Sequence, residues 1–417
     1  ATGCWKNSAA HSHIERTRCM LARVAAFWLQ TAGLSTRQQL SASSLWPVRR
    51  SAPLLQPKLN RHCLFQSPSA KAYSSRSKNL KAGGMAPNVG VILGTMTFGW
   101  SYSSTSIDDK LAGQMLDSYF AAGYNHVDTA LTYSSGKTEK MLGQIMAPGS
   151  DRAAKCGVLA TKAGPWQGTS TMSGSGGLDA VQLREKVEAS LKNLGTSKID
   201  LLYLHAPDSA TRIEDTLAEV HRLHSEGKIG ALGLSNFQAW EVCHIYHTCK
   251  ANGYILPTVY QGMYNAVTRE VERELLPCLR KLDIAFYVYN PLAGGILTGK
   301  HNKEAGPDAG RFKSNKLYTD RFWKESYFEA ADALVSICST QADTSPVDAA
   351  MRWLKFHSHL KDGDAVIIGA SSAAQLDSNI KALQSSQPLS DEVIKVLDMA
   401  WAKCEDDCPS YQRGHSK

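Results

Sequence analysis

Eight short apolar runs recur along residues 88–417, and most of them end on polar or glycine residues before a stretch of helical periodicity begins. The runs are 91–95, 125–128, 158–161, 199–204, 229–233, 258–261, 284–289 and 365–368. Amphipathic stretches at 108–122, 179–194, 212–226, 239–252 and 270–281 lie between them, each long enough to be a crossover helix. Most runs begin roughly 25 to 45 residues after the previous one, a βα beat that limits the fold to a closed parallel barrel or a doubly wound sheet. The last interval is longer and must hold an insertion, read as a loop over 294–320, and two helices around 328–339 and 346–356.

The choice between the two architectures turns on the strand ends. A dinucleotide-binding doubly wound sheet carries G-x-G-x-x-G after its first strand. Here the first run leads instead into Gly94, Thr95, Met96 and Phe98, and the glycine run at 174–177 follows no strand. Strand after strand ends on a reactive or hydrogen-bonding residue, as a site at the C-terminal mouth of a (β/α)8 barrel requires. A TIM-type α/β barrel over 88–417 is therefore expected, preceded by a basic extension over 1–87.

Three successive strand ends, HVDTALTY, LATKA and LLYLHAPD, bring Asp128, Tyr133, Lys162 and His205 to one rim. Taken singly, each has a structural explanation: a helix cap, a packed ring, a solvated ammonium, a satisfied imidazole. Taken together they suit proton delivery to a carbonyl that is receiving a hydride. A tyrosine hydroxyl of ordinary pKa, about 10, is a slow donor at neutral pH. Lys162 is expected to lower that value, Asp128 to hold the lysine by an ion pair, and His205 to orient the carbonyl.

These strings, D-T-A-x-x-Y, T-K-A, L-H-A-P-D and G-L-S-N-F, resemble the signature of the aldo-keto reductase superfamily over about 89–413. QGMYNAVTREVE, YNPLAGGILTGK, RFWKESYFEA and the closing CPSYQR resemble its aflatoxin-aldehyde and succinic-semialdehyde reductase branch. The resemblance implies the barrel, NADPH as cofactor, a tetrad of Tyr133, Lys162, Asp128 and His205, reactive or acidic aldehydes as substrates, and a homodimer. It also implies that Arg311 joins the cofactor set and that Tyr318, Arg321 and Arg413 face the substrate. Another class shares the resemblance: the redox-sensing β subunits of potassium channels, which retain the tetrad. CPSYQR and the Y-x-x-R at Tyr318 to Arg321 favour the enzyme.

A nicotinamide needs side chains that fix its carboxamide and a planar group beneath it. Ser235, Asn236 and Gln261 supply the first, with Asn290 beside them, and Tyr289 could stack on the ring. A pyrophosphate needs backbone donors and positive charge, which the loop from Pro291 and Leu292 through Gly294 and Gly295 to Lys300 offers. Ser371 and Ser372 open a helix that also carries Gln375 and Asn379, a place for the adenosine phosphate.

Charge divides the chain in two. Residues 1–87 hold 13 Lys or Arg and one acidic residue, Glu15, whereas 88–417 hold 33 basic and 37 acidic residues. The excess is thus confined to the extension, and no nucleic-acid-binding body is expected. The extension resembles a mitochondrial presequence, best if read from Met20; the alternative is a disordered tail, and a start at Met85 would give a cytosolic form. No apolar run is long enough for a transmembrane helix. The ten cysteines follow no framework, and Cys404 and Cys408 are read as unpaired thiols. His221 with His224, and His244 with His247, are read as solvent-facing helix histidines and not as zinc ligands.

Overall fold

The computed structural model describes residues 87–100, 106–168, 174–304, 306, 312–313, 315–342 and 344–413. The presequence reading and the role of Arg311 fall outside these residues. Eight parallel strands close into one barrel in chain order: β1 Gly90–Gly94, β2 His126–Asp128, β3 Val158–Ala163, β4 Ile199–Leu204, β5 Ile229–Ser235, β6 Pro257–Met263, β7 Ala285–Tyr289 and β8 Ala365–Ile368. Closure is made where β1 pairs with β8, Val91 opposite Val366 and Ile92 opposite Ile367.

Twelve α-helices accompany the strands among the described residues: α1 Asp109–Ala121, α2 Lys137–Ile145, α3 Asp151–Lys155, α4 Ala180–Leu194, α5 Ile213–Ser225, α6 Ala239–Asn252, α7 Leu275–Lys281, α8 Lys316–Phe322, α9 Glu325–Ser339, α10 Pro346–Phe356, α11 Ala373–Gln384 and α12 Asp391–Cys404. Local chemistry starts and stops them. The Asp179 carboxylate accepts from the first amides of α4, and Gly195 ends that helix in the left-handed conformation at φ 64°. Ser345 and Asp348 close a reciprocal box at the start of α10.

Because side chains alternate along a strand, each run faces two ways. Ile92, Ala160, Leu201, Tyr203, Val259 and Ile367 fill the barrel axis, while the opposite faces pack beneath the helices. The same alternation that turns Ala160 inward turns Lys162 inward one step nearer the C-terminal mouth.

Two expectations change. The helix read over 270–281 is a 3-10 turn, Glu270–Glu272, followed by α7. Pro277 explains the break: it lacks an amide hydrogen and is tolerated only in a first turn, so the helix starts at Leu275. The loop read over 294–320 is also not all loop, since α8 occupies its end and Ala293–Thr298 forms a 3-10 turn. The described residues contain no helix long and apolar enough to cross a membrane.

Candidate active site at the C-terminal mouth

A cleft of about 810 Å³ opens at the C-terminal ends of the strands and runs from the end of β2 past β7 to the start of α11. At its floor Lys162, 1% exposed, donates from Nζ to Asp128 Oδ2 at 2.6 Å, to the Thr129 carbonyl at 2.7 Å and to the Tyr133 hydroxyl at 3.4 Å. The ammonium also sits 5.0 Å from the centre of the Tyr133 ring. A buried ammonium whose three donors are all engaged is fixed in place. Lys162 itself lies behind the cleft wall, and Tyr133 and Asp128 face the opening.

The electrostatics refine the expectation for Tyr133. Burial raises its pKa most, the Lys162 charge pulls it down, and Asp128 pushes it up again; the net direction is upward. The lysine does act in the expected sense, but the carboxylate that holds it and the loss of water outweigh it. For Lys162, burial works against the charge, yet Asp128 and Tyr133 together raise its pKa above the ordinary value. The ammonium therefore stays charged.

His205 follows β4 and its ring lies edge-on to Tyr133, centroids 6.1 Å apart. Burial, then the charges of Lys162 and Arg413, hold its pKa well below the ordinary value, so the imidazole is neutral. Its Nδ1 is buried without a hydrogen-bond partner.

The structure brings every expected site residue among those described to this cleft, Lys162 excepted as the group behind it. Several are engaged differently from expectation. Gln261 donates to Asp128 Oδ1 at 2.9 Å, bracing the carboxylate from the side opposite Lys162. Asn236, held at φ 63°, donates to the His205 carbonyl and to Ser235 Oγ, and accepts from the Tyr289 hydroxyl at 2.8 Å. Asn290, at φ 56°, accepts from Tyr318 at 3.3 Å and leaves its buried Nδ2 unpartnered. Asparagine tolerates this left-handed backbone better than most residues, which helps explain its presence at both strand ends.

Beyond β7, Gly294 and Gly295 adopt φ of 72° and 117°, and a Cβ at Gly294 would meet Phe312, Tyr318 and Phe322 at 3.1 to 3.2 Å. Side-chain-free backbone is thus turned toward the cleft. At the start of α11, Ser372 Oγ accepts from the Gln375 amide at 3.3 Å, and Gln375 Oε1 accepts from the Ser371 amide and hydroxyl.

Arg321 and Arg413 both line the cleft. Burial and then Arg321 lower the pKa of Arg413, and its Nε is buried without a partner. Among the described residues neither guanidinium pairs with a carboxylate. Arg413 is delivered by the C-terminal strand of chain: its amide donates to the Asn236 carbonyl at 2.9 Å, and the Tyr411 hydroxyl bonds Ala239 N and Glu274.

Sequence reasoning missed Thr97, Trp100, Thr132, His301, Leu317 and Ser378, which also line the cleft. The loop after β1 could have been read, since every βα loop of a barrel opens on the same rim. Thr97 Oγ1 donates to the Ala370 carbonyl at 2.6 Å and ties that loop to the one after β8. Ser134 and Ser135, directly after Tyr133, sit at φ 48° and 56°. Such strained non-glycine residues cluster at functional sites.

The described residues hold no cluster of ligands for a metal. His221 and His224 are half-buried, His221 stacking on Tyr254 at 4.9 Å and His224 Nδ1 lying 3.2 Å from the Ile229 carbonyl, whereas His244 and His247 are exposed as expected. Cys404 and Cys408 are free, and burial raises both thiols, to about 12 and about 11.

Comparison with known proteins agrees with this geometry. A profile described as the Aldo/keto reductase family matches residues 90–402. Aflatoxin B1 aldehyde reductase member 2 of Mus musculus is 44% identical over 336 residues, covering 77% of this chain and 87% of the relative. The protein of the same description from Homo sapiens is 41% identical over 365 residues, 84% of this chain and 96% of its own. Aldo-keto reductase family 7 member A3 of Homo sapiens is 41% identical over 335 residues, with 77% and 96% covered.

Proposed function

The chain belongs to the aldo/keto reductase family, and from that premise we propose that it reduces aldehydes to alcohols with NADPH, Tyr133 giving the proton. The observation that carries the reading is the line Asp128, Lys162, Tyr133, with separations of 2.6 and 3.4 Å, ending on a tyrosine that lines the cleft.

The residues present suit a nicotinamide dinucleotide. Asn290 has a buried amide without a partner, Gly294 and Gly295 turn bare backbone inward, and α11 presents a capped N-terminus. Asn290, Ser235 and Asn236 would hold the carboxamide, the loop from Pro291 to Lys300 the pyrophosphate, and Ser371, Ser372, Gln375 and Asn379 the adenosine end. When bound, the cofactor supplies the hydride. The choice of NADPH over NADH, and of a homodimer, rests on the family.

The protein's own part is proton delivery and carbonyl orientation. As negative charge grows on the carbonyl oxygen, the Tyr133 hydroxyl hands over its proton, and Lys162 stabilises the phenolate left behind. Neutral His205 is a hydrogen-bond donor to the same oxygen and does not compete as an acid. Desolvation of the site strengthens each of these interactions.

Arg321 and Arg413 both line the cleft, neither pairs with a carboxylate among the described residues, and two such guanidinium groups suit an anion. This supports acidic aldehydes such as succinic semialdehyde, alongside neutral ones such as 2-nitrobenzaldehyde. The reading is tested by NADPH oxidation with both aldehydes; turnover of neither would overturn it. Arg413→Ala should raise KM for the acidic aldehyde about 10- to 100-fold, the worth of one charge-assisted hydrogen bond, and change that for the neutral one little. Equal effects on the two would reject the anion site.

A further inference from the structure

Lys186 on α4 is 3% exposed, and lysine is rarely buried without a charged partner. Among the described residues no carboxylate forms an ion pair with it. Its ammonium donates instead to three backbone carbonyls of the loop after β3: Gly164 at 3.0 Å, Trp166 at 2.7 Å, and Gly177. Three donors meet three acceptors. The Gly177 amide closes the same loop onto the Pro165 carbonyl at 2.8 Å.

Two glycines leave room for this clamp. A Cβ at Gly177 would lie 2.0 Å from the Trp166 carbonyl oxygen and 2.3 Å from Lys186 Nζ, and one at Gly164 would lie 2.2 Å from the Trp166 ring. Any side chain at either place forces the loop to move. The glycine run that follows no strand thus has a structural task.

The clamped loop carries Trp166, whose indole meets the His205 ring edge-on, centroids 5.3 Å apart and planes at 81°. Tyr133 meets the same imidazole at 82°. A functional histidine is commonly oriented by a hydrogen bond at its second nitrogen, but His205 Nδ1 is buried with no such partner. Ring packing therefore has to set the orientation, and among the described residues Trp166 supplies one of the two ring contacts that His205 makes.

We infer that Lys186 is a positioning residue for the reaction: by pinning the loop after β3 it holds the Trp166 indole against His205 and fixes how that imidazole meets the substrate carbonyl. The chemical consequence rests on the proposed function; the orientation of His205 does not. Lys186 does not line the cleft, so it acts through Trp166.

Full-length protein carrying Lys186→Met removes the ammonium while keeping an unbranched stem. The expected result is a fall of about tenfold in kcat/KM, mostly in kcat, as for a small misplacement of an orienting group, with the NADPH dissociation constant unchanged. In protein labelled with ¹⁵N-histidine, the His205 ring resonances, assigned with His205→Gln, should move as the indole ring current departs. Trp166→Ala should give the same shift, and Lys186→Met added to Trp166→Ala should cost nothing more. Wild-type His205 resonances in Lys186→Met, or losses that simply add, would overturn the inference. Should Lys186→Met fail to fold, Trp166→Ala leaves the three carbonyls in place and Gly164→Ala displaces the indole sterically; unchanged resonances and turnover in both would be equally fatal. A wild-type protein without aldehyde turnover would sink the proposed function alone, since the resonances still decide the orientation.

Discussion

Tyr133→Phe should lower kcat by about 10²- to 10⁴-fold, the usual range for loss of a general acid, and leave NADPH affinity as it was. The substitution deletes one oxygen. The ring remains beside Lys162, whose Nζ lies 5.0 Å from its centre, so the shape of the cleft and the buried ion pair persist. The pH dependence of kcat/KM for the aldehyde belongs to the same prediction. His205 titrates well below its ordinary value, so the profile should be flat between about pH 6 and 7.5, where an unperturbed histidine would give a limb. Tyr133 is raised above its ordinary value by burial and Asp128 against the pull of Lys162, so loss of the proton, and of activity, is expected only on the far alkaline side. Turnover unchanged in Tyr133→Phe, or a histidine-like limb abolished in His205→Gln, would remove the assigned roles.

The barrel was legible because its signal is redundant. Most strands have an apolar run, a polar or glycine end and a following stretch of helical periodicity, and that much repetition leaves little choice. Asp128, Lys162 and His205 were legible for the same reason, since a parallel barrel sends every strand end to one rim. What the sequence could not carry is how groups at that rim divide their hydrogen bonds. Gln261 lines the cleft, where a carboxamide ligand was expected, but nothing in the sequence shows that its Nε2 also donates to Asp128. The direction of the Tyr133 shift was likewise hidden, because burial is a property of the assembled cleft and outweighs the one neighbour visible in the motif. Lys186 gave no signal at all: it sits in an amphipathic run, and only the path of a loop brings three carbonyls to its ammonium.

The buried pair itself allows the fold and the chemistry to be separated. Lys162→Met leaves the Asp128 carboxylate at 3% exposure with a single remaining side-chain donor, Gln261. Breaking a buried ion pair from one side costs about 3–5 kcal/mol, and that is the loss of unfolding free energy expected for Lys162→Met at pH 7. Adding Asp128→Asn removes the stranded charge, and the double variant should regain a large part of the stability at pH 7, measured by denaturant unfolding. Turnover should return in neither variant, because an amide and a thioether supply no positive charge to a phenolate at Tyr133. Recovery of activity together with stability would mean that Lys162 serves the fold only; a single variant as stable as wild type at pH 7 would mean that the pair is not buried as the geometry has it.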